Sequence, residues 1–251
     1  MQSVVVRACA CVVSICLICT GYGFSAAAGD NLAATGFRLL SLNDKSTKWG
    51  EPAAGKGAVI RYAFIAASLD RPGSRNCRTM EPLRASPRPD GPTADGFQHE
   101  IRRAMESWER VADVRFVPAR GGEPADLVIG FQRKPRGIAY ADVQSVPLSL
   151  GAIATTSHAA ICLNPNLPWE SNFDGNPATP DVRYVAAHEI GHVLGLDHSR
   201  RRGEATLMDF RNSETIRVPQ PGDAAGAVLL YGEPLLKDTR ASAAHISKLS
   251  E

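Results

Sequence analysis

The sequence predicts an α+β domain with a mixed sheet. Three observations carry this: a strand-like run at residues 58–66, an amphipathic helical pattern over 97–111, and two short apolar runs, 114–117 and 127–131, directly after it. Strand, helix, strand, strand is the order expected when a helix crosses one face of a mixed sheet.

The first run (AVIRYAFIA) lies between Gly55 and Gly57 on one side and Asp70, Pro72 and Gly73 on the other. Its β-branched and aromatic residues predict Ile60, Tyr62 and Phe64 on one face. Residues 71–96 are crowded with Pro, Gly, Arg and Asp, which reads as a long surface loop carrying Cys77. In the helix, Phe97, Ile101, Ala104, Met105, Trp108 and Val111 recur at helical spacing, with His99, Glu100, Arg102, Arg103 and Glu106 on the polar face. Trp108 reads as core. Residues 138–143 and 150–156 are alternative edge strands, 160–163 is a further strand, and 164–180 is loop by composition, as is the surrounding of His158. Thr179 as cap and Pro180 at the first helical position open a helix running to about Leu194. A final helix covers residues 223–231 and ends at Gly232, followed by a polar tail over 236–251.

Residues 1–28 read as a secretory signal: Arg7, an apolar run from about Ala8 to Phe24, then Ser25, Ala26, Ala27 and Ala28 before Gly29. The rival, a membrane anchor, is disfavoured by Ser14, Thr20, Gly21 and Gly23, which shorten the run, so cleavage near Ala28 is expected. Residues 29–47 form a short segment without clear periodicity, and 48–235 the folded domain. The net charge of +2 makes no electrostatic claim on nucleic acid or membrane. Four of the six cysteines lie in the signal, leaving Cys77 and Cys162. In an oxidising compartment these can pair as a disulfide; the rival is a free Cys77 thiol that caps the metal considered next.

Residues 188–198 read HEIGHVLGLDH. On a helix, residues four apart share a face, so His188 and His192 can present two imidazoles to one ion. Glu189 flanks that face and can reach a water there without being a ligand. Six residues beyond His192, a continued helix has turned by roughly 600°, which aims His198 away. The helix must stop, and Gly195 supplies the break because glycine tolerates the left-handed conformation that reverses the chain. Three neutral imidazoles with an open fourth position suit a catalytic zinc, whereas structural zinc is closed by four protein ligands. His99, His158 and His245 read as ordinary surface or loop histidines.

The string HEIGHVLGLDHS resembles the metzincin metallopeptidases, and its second half is similar to the matrixin branch, the family of the matrix metalloproteinases and their bacterial relatives. Thr206, Leu207, Met208 and Asp209 resemble the family's methionine turn, which implies Met208 as the floor beneath the metal. Lys48, Trp49 and Gly50, the segments VRFVP and ADLVIGF, and the ending AAGAVLLYG are also similar, so the resemblance covers about residues 48–232. It implies a zincin-like domain: a twisted five-stranded sheet with two helices, the zinc helix at the floor of a cleft, and a small C-terminal subdomain with a final helix. It also implies an extended peptide pairing with the sheet's edge strand. The chain departs from the pattern in places. Ser86, Pro87, Arg88, Pro89 and Asp90 lack the cysteine of a cysteine switch, His158 alone cannot supply a second zinc site, and Phe210 stands where other metzincins carry a tyrosine ligand. Asn172, Asp174 and Asn176 have the alternate spacing of calcium ligands, but Gly175 and the nearby prolines read as an ordinary turn.

The expected protein is a secreted (extracellular or periplasmic) zinc-dependent endopeptidase with one catalytic Zn2+. It is expected to act on proteins or peptides as a monomer, without nucleic acid or membrane as partner in the mature form. The rival of another class is a non-catalytic secreted zinc-binding adhesion or inhibitory module on the same fold; Glu189 argues against it, since a purely structural site needs no base.

Overall fold

The computed structural model describes residues 36–146, 151–174, 176, 178–199, 205–209 and 216–235. Residues 1–28, which the sequence reading takes as a signal, Phe210, His245 and the tail from 236 lie outside the described residues. The elements in chain order are β1 (Arg38–Leu39), β2 (Ser41–Leu42), β3 (Lys45–Lys48), β4 (Ala58–Phe64), β5 (Leu69–Asp70), β6 (Thr79–Glu81), α1 (Ala94–Glu109), β7 (Val114–Pro118), β8 (Leu127–Gln132), β9 (Ala139–Ser145), β10 (Ile153–Leu163), α2 (Val182–Val193), β11 (Leu196–Asp197) and α3 (Pro221–Tyr231).

Five of these strands make the mixed sheet that the family resemblance implied. β7, β4, β8 and β10 run parallel in that order, and β9 pairs antiparallel with β10 along the far edge. Four short strands extend the sheet to nine: β2 and β3 continue along the early half of β10, and the β5–β6 hairpin joins β8. Alternation is plain in β4, where Ile60 and Tyr62 are buried while Val59 and Arg61 face solvent. Residues 153–163 form one continuous strand, with a register irregularity between Thr156 and His158 that sends His158 to the surface. His158 therefore lies in a strand and not in a loop; the bulge absorbs the polar residues that made this stretch look like two segments.

Helix α1 starts three residues before the first apolar position, because the Thr93 side chain accepts from the Gly96 amide at its N-terminus. Phe97, Ile101, Ala104, Met105 and Trp108 are all buried in the main core. Glu100 departs from its polar-face assignment: it is buried at 7% exposure and accepts from Arg183 Nε of α2 at 2.6 Å. Such a pair ties two helices together at one register, since removing either partner leaves a buried charge.

The start of α2 is also corrected. Its cap is Asp181, whose carboxylate accepts from the Tyr184 amide at 2.8 Å, in place of Thr179 with Pro180. The reason is tertiary: Glu170 and Asp181 form a β-bridge, with Glu170 N–H donating to Pro180 O and Val182 N–H to Glu170 O, which keeps the chain extended through residue 181. Arg217 forms an ion pair with the buried Asp181 carboxylate. α3 begins at Pro221, two residues ahead of the predicted Asp223.

On the sheet face away from the main core, Cys77 and Cys162 are joined by a disulfide with a Cα–Cα distance of 5.7 Å, in a small cluster with Met80 and Ala160. Asp142 of β9 accepts from the amides of Asn76 and Cys77, so the loop carrying the disulfide is fastened to the edge strand. Among the described residues, no helix is long and apolar enough to cross a membrane.

Candidate metal centre

His188 and His192 lie one turn apart on α2, and the chain then leaves the helix at Gly195, whose φ is +96°. A Cβ at residue 195 would sit 2.0 Å from the Thr47 carbonyl oxygen, so glycine is required by space as well as by conformation. The reversal carries β11 back and brings His198 over the helix. His198 Nε2 lies 3.2 Å from His188 Nε2 and 3.1 Å from His192 Nε2. A tetrahedral ion bonded to nitrogens at ~2.0–2.1 Å separates those nitrogens by about 3.3 Å, so the donor set fits zinc.

The opposite ring nitrogens decide the tautomers. His188 Nδ1 is 2.7 Å from Leu207 O, and His192 Nδ1 is 2.9 Å from Leu196 O. A carbonyl only accepts, so each Nδ1 carries the hydrogen and each Nε2 presents a lone pair to the shared centre. Burial pushes the His188 imidazole down to about 4 and that of His192 to about 3, which keeps both neutral and ready to ligate at neutral pH. Asp197 Oδ1 accepts from the His198 backbone amide at 2.7 Å.

Glu189 is buried between α2 and β9. Burial raises its carboxyl to about 8, Asp142 adds to the rise, and a backbone hydrogen bond from Ala141 opposes it. A cation held beside it acts in the opposite direction and favours the carboxylate. A cavity of about 200 Å³ opens next to these groups, walled by Ile138 and Ala139 at the start of β9, by Tyr184 and Val185 of α2, and by Asp209. β9, one of the two candidate edge strands, is the one at the cavity.

Over residues 85–232 the chain matches the matrixin family model of the M10 peptidases. The chain belongs to the matrixin family. It is 30% identical over 149 residues to metalloendoproteinase 1-MMP of Arabidopsis thaliana, covering 56% of this chain and 39% of that protein. It is 30% identical over 142 residues to matrilysin of Mus musculus (53% and 50%) and 32% identical over 141 residues to stromelysin-2 of Rattus norvegicus (53% and 28%). The chain thus matches half or less of the length of these relatives.

In this matrixin the turn of residues 206–209 is held by a residue that the histidine motif does not contain. Asp223, in the first turn of α3 and 1% exposed, accepts from the amides of Gln220, Leu207 and Met208 and from the Thr206 hydroxyl. The same Leu207 that donates to Asp223 offers its carbonyl to His188, so the carboxylate orients that imidazole at one remove. Its position behind Pro221 at the start of a helix is a capping signal, legible only as such. Met208 lies under α2 at the place of Gly191: a Cβ there would fall 2.3 Å from Met208 Sδ and 3.0 Å from a ring carbon of Trp108. A side chain between the two helical histidines would therefore force Met208 to move. Asp223→Ala strands the amides of Leu207 and Gln220, while the Met208 amide keeps the Thr206 hydroxyl at 3.2 Å, and is expected to lower unfolding free energy by roughly 3 kcal/mol, with faster zinc loss to a chelator; urea denaturation of the metal-free and zinc-loaded forms measures both.

The remaining assignments fall elsewhere. Asp174 Oδ1 accepts from Asn176 N–H and Asn176 Oδ1 from Ala178 N–H, so these side chains serve the turn's own backbone. His99 is exposed and near Glu100.

Proposed function

We propose that this matrixin is a secreted zinc-dependent endopeptidase in which His188, His192 and His198 hold one zinc ion and Glu189 is the general base. The observation that carries the reading is the convergence of three Nε2 atoms, on two of whose rings the opposite nitrogen is committed to a backbone carbonyl. Three nitrogen ligands leave the fourth position for water or substrate, as catalytic zinc requires. Zinc bound there supplies a Lewis acid that polarises a carbonyl and acidifies water.

The chain's own groups do the rest. Glu189 takes a proton from the attacking water and returns it to the leaving amine, which needs a carboxylate beside the metal and not on it. An extended peptide pairs along the open edge of β9, placing one side chain in the cavity between Tyr184 and Ala139. Residues 1–28 act as an export signal and 48–235 as the catalytic domain. The substrates are proteins or peptides, and the mature form works as a monomer without membrane or nucleic acid.

The test is metal removal and return on residues 29–251. Chelation is expected to abolish cleavage of a mixed peptide library, and about one equivalent of Zn2+ to restore it. Zinc-loaded protein that cleaves nothing in the library would leave the adhesion or inhibitory module as the better account.

A further inference from the structure

The segment ahead of the first long strand does more than lead into the domain. Phe37 lies over Gly226 of α3, where a Cβ would fall 2.9 Å from its ring, and the Gly36 carbonyl occupies the space beside Gly222. From that seat β1 runs antiparallel to β11, pairing Arg38 with Asp197 and Leu39 with Leu196. Leu40 N–H then donates to Gly195 O at 2.8 Å. The β2–β3 hairpin turns through Asn43 and Asp44, both at positive φ, and returns the chain so that Thr47 O rests against Gly195. Trp49 Nε1 finally donates to Val193 O at 2.8 Å, and Tyr231 OH donates to Leu194 O at 2.9 Å while accepting from Trp49 N–H.

Residues 36–49 thus wrap the exit turn of the metal helix, and the carbonyls of Val193 and Gly195 are both held by this segment. What the wrap grips is specific. Leu196 O is the acceptor that orients His192, and Asp197 is the residue that caps the His198 amide and pairs with Arg38 at 3.2 Å. The third imidazole, His188, is oriented from the other side by the methionine turn. A two-residue strand such as β11 has no stability of its own, so its position depends on its partner. The segment lies outside residues 85–232, over which the chain matches its family.

We propose that residues 37–40 form a positioning strap for the metal centre: paired along Leu196 and Asp197, they fix the backbone that orients His192 and His198. Retention of the ion then depends on residues that never touch it. This rests on the zinc reading above. Groups that orient a ligand without touching the ion change metal affinity by roughly 10–100-fold, which sets the size of the effect.

The experiment compares zinc loss to excess chelator from residues 29–251, from the same chain lacking residues 29–40, and from Leu40→Pro and Leu40→Ala. Leu40→Pro removes the amide that donates to Gly195 O, and Leu40→Ala keeps it. Loss is expected to be roughly tenfold or more faster for the deletion and for Leu40→Pro, and within about twofold of wild type for Leu40→Ala. Thermal melts of the metal-free forms show whether folding is intact. Equal zinc loss from wild type and Leu40→Pro overturns the strap, as does faster loss that tracks only the unfolded fraction. A wild-type chain that takes up no zinc overturns strap and zinc reading together. Zinc-loaded wild type that cleaves no peptide overturns the endopeptidase alone, and the loss rates still decide the strap.

Discussion

Glu189→Gln is expected to lower kcat/KM on a peptide substrate by roughly a hundredfold to ten-thousandfold while zinc stays bound, the range for loss of a positioned general base. The substitution keeps shape and retains an acceptor for the Ala141 amide, so the metal's ligands are not disturbed. Peptide cleavage beside metal analysis measures both quantities; a variant retaining a third of the activity would place the base elsewhere. The same substitution has a second consequence in metal-free protein. A carboxyl raised to about 8 in the fold from 4.5 favours the folded state only while protonated, so its contribution is fully present below pH 4.5 and is lost as pH rises through 8. The two imidazoles act with the opposite sign. Their folded values of about 4 and about 3 lie below the ordinary 6.5, so stability is lost as pH falls below 6.5. Metal-free wild type is therefore eroded on both limbs, and metal-free Glu189→Gln only on the acid one. Thermal melts from pH 4 to 9 should show the variant's advantage growing toward alkaline pH, and parallel curves would contradict the buried, protonated Glu189.

The three-histidine cluster was legible because its placement is short-range. His188 and His192 need only helical periodicity, and Gly195 announces the break by its chemistry. The strands β4, β7 and β8 were legible for a similar reason, since alternation and flanking turn residues are local. What escaped is long-range. Nothing in the pattern around Asp223 states that its carboxylate gathers the amides of Leu207 and Met208, 16 and 15 residues away. Residues 29–47, read as a segment without periodicity, hold two strands and most of a third, which ends at Lys48, each of two to four residues and too short to show alternation. Thr179 and Pro180 carry good local capping chemistry, yet the Glu170–Asp181 bridge moves the helix start two residues on. Glu100 has the spacing of a surface position and becomes buried because Arg183 arrives from another helix. In each case a tertiary partner, silent in the local sequence, decided the outcome.

Gly195→Ala is the backbone counterpart of the Glu189 experiment and the more destructive of the two for the metal. A residue with a Cβ strains at φ +96°, and the Cβ would overlap the Thr47 carbonyl at 2.0 Å. Two relaxations are open. Pushing β3 away weakens its pairing with β10 and the approach of Trp49 to Val193; rotating the turn withdraws Leu196 O from His192 and swings His198 off the shared centre. Either route lowers unfolding free energy by roughly 2–4 kcal/mol, and the second also releases the ion. Gly55→Ala separates the terms: Gly55 has φ +70°, but nothing lies within 4 Å of its added Cβ, so only the backbone strain remains, about 1 kcal/mol. Urea denaturation and zinc content after dialysis are expected to show Gly55→Ala mildly destabilised with full zinc and Gly195→Ala strongly destabilised with little. If the two variants behaved alike, the turn would not be held against Thr47, and the geometry that brings the third imidazole to the other two would have to arise in another way.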